Sequence, residues 1–402
     1  MGLRTYGDFS RSIHERFEGK RAALEVSLEL THRCPLGCRH CYNNLPAGDS
    51  SATQELTTDE YFRVLDEIAD LGCLWLLFTG GEILLRKDFI EIYTYAKNKG
   101  FLITLFTNGI LINEKIADHL LEYPPFAIEI TLYGRTKETY EALTGVAGSF
   151  ERCMRGIELL RQRGLPLRLK TVATSINRHE VTAMRDFAKG QLGLEFKFDA
   201  LLNARIDCSR RPLTYRLKPE EVVALDVRFP ELLAEHERLI RRELDLPTVP
   251  DSRAVYACGG GMQSFAIDPY GQMSICGLSP RMYSVRTGSV KAGWEFLAEA
   301  RNTERKTVSN CVSCRLRSLC GMCPAYGELE SGDAEQPVEF LCEVAHLRAA
   351  VVGIEVPEHG DCAFCVNGTR HGDIKEKARS IMAKRSIVSG CSTVVSQRLA
   401  TV

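Results

Sequence analysis

The chain has 402 residues, 45% apolar and 26% charged, which is enough for two or three units or for one large α/β domain with an appendage. Its 51 Lys and Arg nearly cancel its 52 Asp and Glu, so bulk charge offers no case for nucleic acid or for an anionic membrane surface. No run approaches the roughly 18 apolar residues of a spanning helix, and the charged start MGLRTYGDFSRSIHERFEGKR has no apolar secretory core.

Those features predict a cytoplasmic protein, where 16 cysteines suit metal binding better than disulfides. After an N-terminal segment (1–23), short apolar runs alternate with helical patterns. LEVSLELT (Leu24 to Thr31) reads as a strand, and LTTDEYFRVLDEIADLG as a helix with Thr57 and Glu60 as a capping box. LWLLFTG, FLITLFTNG, FAIEITLYG, LRLKTVAT and LEFKFDALL read as five further strands, with helices at FIEIYTYAKNKG and near Asn113, Phe150 and His179. Strands this uniformly apolar belong in a parallel sheet covered on both faces. Right-handed crossovers curl such a chain into a partial (β/α)6 TIM-like barrel, with its site at the strands' C-terminal ends.

The barrel is expected over 24–246, closing with a charged helical stretch from Lys218 and a linker at DLPTVPDS. A cysteine-rich domain (247–356) follows. Its glycines cluster, and its apolar periodicity is weak until EVAHLRAAVVGIEV, so metal is expected to hold it more than a core. The tail (357–402) is polar, weakly patterned and basic from Arg370.

Just past the first strand, CPLGCRHC carries Cys34, Cys38 and Cys41. Three thiolates can hold a [4Fe–4S] cube and leave one iron for an exogenous ligand. The spacing by itself leaves open a structural zinc site with a distant fourth ligand, or a plain loop with buried thiols. Farther on, Cys258 and Cys276 flank Gly271, CVSCRLRSLCGMCP supplies Cys311, Cys314, Cys320 and Cys323, and Cys342 closes the set. The five-residue gap between the two CxxC pairs is too short for a zinc ribbon.

The Cys34-x3-Cys38-x2-Cys41 loop resembles the signature of the radical S-adenosylmethionine (SAM) superfamily. TGGEILLR is similar to that family's GGE motif, and TNG (Thr107 to Gly109) sits where the family often has a polar turn facing the nucleoside. The resemblance spans Leu24 to about Leu202. It implies that SAM chelates the open iron through its amino and carboxylate groups and is cleaved reductively to a 5′-deoxyadenosyl radical, which takes a hydrogen atom from substrate. Gly80 and Gly81 would let backbone approach the SAM ammonium, Glu82 would offer a carboxylate near positive charge, and Thr107 and Asn108 would face the cofactor. Ile83 and His40 depart from the family's usual proline and aromatic.

The second array resembles the SPASM extension of radical SAM enzymes, which carries two auxiliary [4Fe–4S] clusters. Carried over, Cys311, Cys314, Cys320 and Cys342 would hold the distal cluster, and Cys258, Cys276 and Cys323 the proximal one. No cysteine falls between Cys258 and Cys276. An open proximal iron is therefore expected, filled by substrate or by Cys362 or Cys365 of the tail. Cys73 and Cys153 read as small buried residues.

Glu129, Tyr133 and Asp199 are candidates for proton transfer inside the barrel, and Lys170 for binding a carboxylate. Arg210, Arg211 and the basic tail read as a solvated surface. The function expected from the resemblance is oxidative modification of a ribosomally made peptide, as in pyrroloquinoline-quinone and mycofactocin maturases. Such a protein takes electrons from a flavodoxin- or ferredoxin-type donor. No separate peptide-recognition domain is read before Leu24, so a partner protein for leader binding is expected. Alternatives are an anaerobic sulfatase maturase, a small-molecule radical SAM dehydrogenase or, from another class, a non-catalytic iron–sulfur electron carrier.

Overall fold

The structure, a computed structural model, describes residues 5–246, 254–307 and 309–398, with side chains as far as 385. The linker expected at DLPTVPDS lies almost wholly outside the described residues. A helix, α1 (Tyr6–Arg16), occupies the N-terminal segment.

All six anticipated strands form: β1 (Glu25–Thr31), β2 (Trp75–Gly80), β3 (Leu102–Thr107), β4 (Ala127–Thr131), β5 (Leu167–Val172) and β6 (Glu195–Asp199). Each pairs in parallel with the next. The helices between them are α2 (Thr58–Asp70), α3 (Phe89–Asn98), α4 (Glu114–Glu122), α5 (Lys137–Thr144), α6 (Ser149–Gln162) and α7 (Val181–Arg185). Thr57 and Glu60 form the capping box on α2, and Asn113 caps α4 through Ile116 N–H. Leu28, Leu30, Phe78, Ile103, Ile130 and Leu169 are sealed inside, which explains why the strands could be read from near-continuous apolar runs. The result is the α/β, TIM-like architecture anticipated from the strand pattern.

The cysteine-rich region is joined to the barrel more closely than the sequence indicates. Its first strand, β7 (Ser264–Ile267), pairs in parallel with β1, and β8 (Gln272–Ser274) and β9 (Tyr283–Ser284) continue antiparallel. Among the described residues the sheet thus has nine strands, ordered β9-β8-β7-β1-β2-β3-β4-β5-β6.

Helices α8 (Pro219–Asp226) and α9 (Pro230–Asp245) follow the barrel strands, and α10 (Val290–Arg301), α11 (Arg317–Cys320), α12 (Pro324–Ser331) and α13 (Glu339–Val351) follow β9. Expectation and structure differ here. Leu316, Leu319, Tyr326, Leu341, Ala345 and Ile240 form an apolar cluster, so this region has a core of its own. The tail also differs, because α14 (His371–Arg398) packs on α13 and α8 through Ile374, Ala378 and Ile381. Three apolar residues at helical spacing suffice for that contact, but they are too few to stand out in a charged stretch.

Gly156 lets α6 approach the turn after β3, where an added Cβ would lie 2.2 Å from the Gly109 carbonyl oxygen. Gly156→Ala is expected to destabilise the protein by about 1–3 kcal/mol, measured as a lowered denaturation midpoint with unchanged slope.

Candidate active site

The ends of β1, β2 and β3 are locked to one another at the barrel rim. Gly81 N–H donates to Thr31 O at 2.6 Å and Glu82 N–H to Arg33 O at 3.0 Å. A Cβ on Gly80 would meet Thr31 O at 2.3 Å, and one on Gly81 would meet Arg33 O and His32 O at 2.4 and 2.5 Å. Only glycine permits that approach, and Gly80 also has φ +126. The glycines therefore have a packing reason beyond access for a ligand: they seat the start of the cysteine loop.

Glu82 turns out to be fully buried and does not line the cavity. Its carboxylate accepts from Thr107 Oγ1 (2.7 Å), Asn108 N–H (2.8 Å) and Leu84 N–H (3.1 Å). Burial raises its pKa and these donors oppose the rise. Glu82 braces the TNG turn through these contacts. Thr107 and Asn108 do line the cavity, and Asn108 Nδ2 reaches Cys34 Sγ at 3.5 Å.

That cavity, about 370 Å³, also takes in Cys34, Cys38, Cys41, Gly80, Gly81, Tyr133, Lys170 and Asp199. Its volume lies in the range of small-molecule sites. The three thiols face one another, and burial pushes Cys34 up to about 12 and raises Cys38 and Cys41. Sulfurs crowded in so dry a place need a metal's positive charge to remain thiolates. Leu36 N–H lies 3.4 Å from Cys34 Sγ, the kind of hydrogen bond that tunes cluster sulfurs. His40 lines the cavity with its ring 5.2 Å from Tyr133, and its buried Nδ1 has no hydrogen-bond partner among the described residues. The donor set, the space and this unpartnered atom all fit a three-thiolate cluster with a polar cofactor beside it.

Of the proton-transfer candidates, Tyr133 sits against Cys38, and Asp199 lines the cavity with Oδ1 held by Leu201 N–H at 2.8 Å. Glu129 is not among the residues lining the cavity and is paired to Lys197 at 2.9 Å and Lys170 at 3.2 Å. Burial opposes its ionisation, yet the two ammonium groups hold it below the ordinary carboxylate value. In this arrangement Glu129 serves as a counter-ion for Lys170 and Lys197.

Sequence reasoning overlooked Glu29, a buried carboxylate in the cavity wall. It accepts from His32 Nε2 (2.9 Å), Tyr42 OH (3.2 Å), Asn43 Nδ2 (3.2 Å) and Arg281 (3.2 Å). The available signal was an acidic residue flanked by Leu28 and Leu30 near the end of β1.

The structure also gathers the second array. Cys323 stands near Cys276 and Cys258, and Cys342 near Cys311, Cys320, Cys314 and the tail's Cys362. Leu316 and Met322 N–H lie 3.4 and 3.3 Å from Cys314 and Cys320 Sγ. Cys73 and Cys153 are buried as expected; Cys391 lies beyond the described side chains.

A family model described as the radical SAM superfamily matches residues 28–188. A PqqA peptide cyclase of Rhodopseudomonas palustris is 30% identical over 325 residues, covering 77% of this chain and 84% of that protein. The chain belongs to the radical SAM superfamily. An AdoMet-dependent heme synthase of Methanosarcina barkeri is 27% identical, covering 77% of this chain and 93% of that protein. Streptococcus suis SuiB bound to S-adenosylmethionine shares the fold, with TM-score 0.62 at 16% identity over 85% of this chain and 82% of that one. A second SuiB structure, bound to its precursor peptide SuiA, gives 0.61. Radical SAM enzymes use a [4Fe–4S] cluster and SAM, and the three-thiol loop opens onto a cavity suited to both.

Two outcomes follow for this radical SAM site. Glu82→Gln sets an amide donor against N–H and O–H donors, and should cost about 1–3 kcal/mol in anaerobic denaturation. Burial pushes Lys170 down to about 7, with Glu129 opposing, so its positive charge is present below that pH and lost above it. SAM affinity should fall from about pH 6 to about pH 8.5, and Lys170→Met should hold it at the high-pH level throughout.

Proposed function

We infer that this radical SAM enzyme oxidatively modifies a ribosomally made peptide. The observation that carries the reading is the pairing of a three-thiol cavity at the barrel rim with a separate seven-cysteine array in the same chain. Removing a hydrogen atom and closing a new bond leaves an electron to discard, and auxiliary clusters accept it. The likeness to a PqqA peptide cyclase over most of both chains, and to a structure solved with a precursor peptide, supports a peptide as substrate.

In this reading Cys34, Cys38 and Cys41 hold the SAM cluster within a barrel spanning 24–246. Cys311, Cys314, Cys320 and Cys342 hold one auxiliary cluster, and Cys258, Cys276 and Cys323 another, in a SPASM-type region spanning 247–356. When bound, the first cluster and SAM supply a carbon radical that abstracts hydrogen. Asn108 holds Cys34 in place, Gly80 and Gly81 keep the loop seated, and Lys170 faces a carboxylate. Tyr133 and Asp199 stand where a substrate proton can be taken up. The reading also includes a reducing cytoplasm, a flavodoxin- or ferredoxin-type donor and a separate leader-binding protein. Among the described residues no helix is long and apolar enough to cross a membrane.

A second reading, action on a heme-type tetrapyrrole, is favoured by the likeness to the AdoMet-dependent heme synthase, which extends over 93% of that protein. One assay separates them. Anaerobic chain with SAM and dithionite is given either a short peptide encoded beside its gene or an iron-coproporphyrin. The peptide should lose about two mass units as 5′-deoxyadenosine forms, and Cys34→Ala should abolish both with loss of about four irons. Turnover of the porphyrin alone would select the tetrapyrrole reading. Absence of 5′-deoxyadenosine under every condition would leave an electron carrier.

A further inference from the structure

The tail cysteines do not join Cys258, Cys276 and Cys323. Cys362 and Cys365 meet His346 of α13 and His359, and the four donor atoms lie within 4.8 Å of one another. Cys365 Sγ stands 3.0 Å from His359 Nδ1 and 3.4 Å from His346 Nε2. Cys362 Sγ stands 3.7 Å from that same His346 nitrogen. Cys365, His346 and His359 are buried and Cys362 partly so.

We propose that His346, His359, Cys362 and Cys365 form a closed site for one divalent metal ion of the zinc type, separate from the iron–sulfur sites. Tetrahedral donors on bonds of about 2.0 Å from nitrogen and 2.3 Å from sulfur sit about 3.3–3.8 Å apart. The three measured separations fall in or close to that interval. A cubane, by contrast, takes each thiolate on a different iron, so its sulfurs stand well apart. Among the described residues, neither the N-terminal trio nor the second array is drawn together as tightly as these four.

The surroundings are built for a ligand. His346 Nδ1 lies 2.8 Å from Cys342 O. A carbonyl can only accept, so Nδ1 carries the proton and Nε2 presents its lone pair to the two sulfurs, the second-shell arrangement usual for metal-bound histidine. The loop is wound as a knuckle: Gly368 N–H donates to Cys365 O at 2.8 Å, and a Cβ on Gly368 would meet Ala363 O at 2.3 Å. Two thiolates also neutralise a divalent ion, so the buried site carries no net charge. Binding releases the two thiol protons to solvent.

His346 is four residues from Cys342, and Cys314 stands near enough to His359 to act on its charge. The ion would therefore pin the start of the tail to α13 beside the distal array. This inference does not depend on what the enzyme acts on.

The test uses full-length chain purified anaerobically, loaded with iron and sulfide, and offered zinc. It should retain about one zinc after gel filtration, and zinc-edge X-ray absorption on the unmutated chain should fit two sulfurs near ~2.3 Å and two nitrogens near ~2.0 Å. Cys362→Ser with Cys365→Ser should lose the zinc and keep the iron. His346→Gln, which leaves both thiols, should weaken zinc retention against a chelator by about tenfold or more. No zinc in the intact chain, a different ligand count, or loss of iron instead of zinc in the double variant would overturn the proposal.

Discussion

The close approach of Gly80 and Gly81 to Thr31, His32 and Arg33 is the constraint on which the rest of the site depends. It brings two strand ends nearer than any side chain would allow, and the cysteine loop departs from that contact. Glu82 then carries the same registration to β3 through Thr107 and Asn108, and Asn108 returns to Cys34. Three strand ends are thereby held as one rim. A rim assembled on sheet ends is stiff enough to keep thiols at a metal's distances, which a free loop would not be.

Buried charge reinforces this geometry. Glu55 accepts from Thr31, Arg33 and Arg86, at 2.5, 2.9 and 3.3 Å, so the residue before the first cysteine is anchored to the helix-turn following GGE. Glu29 collects His32, Tyr42, Asn43 and Arg281, and Arg281 also pairs with Asp268 at 3.2 Å. Buried ion pairs of this kind contribute little net stability, but they are costly to break. Their effect is positional: the carboxylate in the cavity wall holds the cysteine loop on one side and the cysteine-rich region on the other.

The strands and most helices were legible because their patterns are local. Thr57 and Glu60 are three residues apart, and the apolar runs of β1 to β5 are unbroken by turns. β7 and α14 are among the elements that escaped notice, for the opposite reason. β7 pairs with β1 across more than two hundred residues, and its four residues carry no sign of which edge they meet. α14 hides a narrow apolar stripe in a charged sequence, and its docking depends on α13 and α8 being in place. At the site, the thiols and glycines were legible by spacing, whereas Glu29 and Glu82 acquired their roles only from the partners that folding supplied.

By itself, the sequence determined which chemistry is available: three thiols at loop spacing, glycines at a strand end and a dense second set of cysteines. Each is a matter of residue type and separation along a few positions, which a folded chain preserves. Tertiary structure alone decided which donors share a centre. It set Glu129 against two lysines, brought Arg281 to Glu29 from 252 positions away, and gathered the tail cysteines with His346 and His359. The reason is that ligation and ion pairing act over a few ångströms in space, and only the packing of sheet and helices converts distance along the chain into distance between atoms.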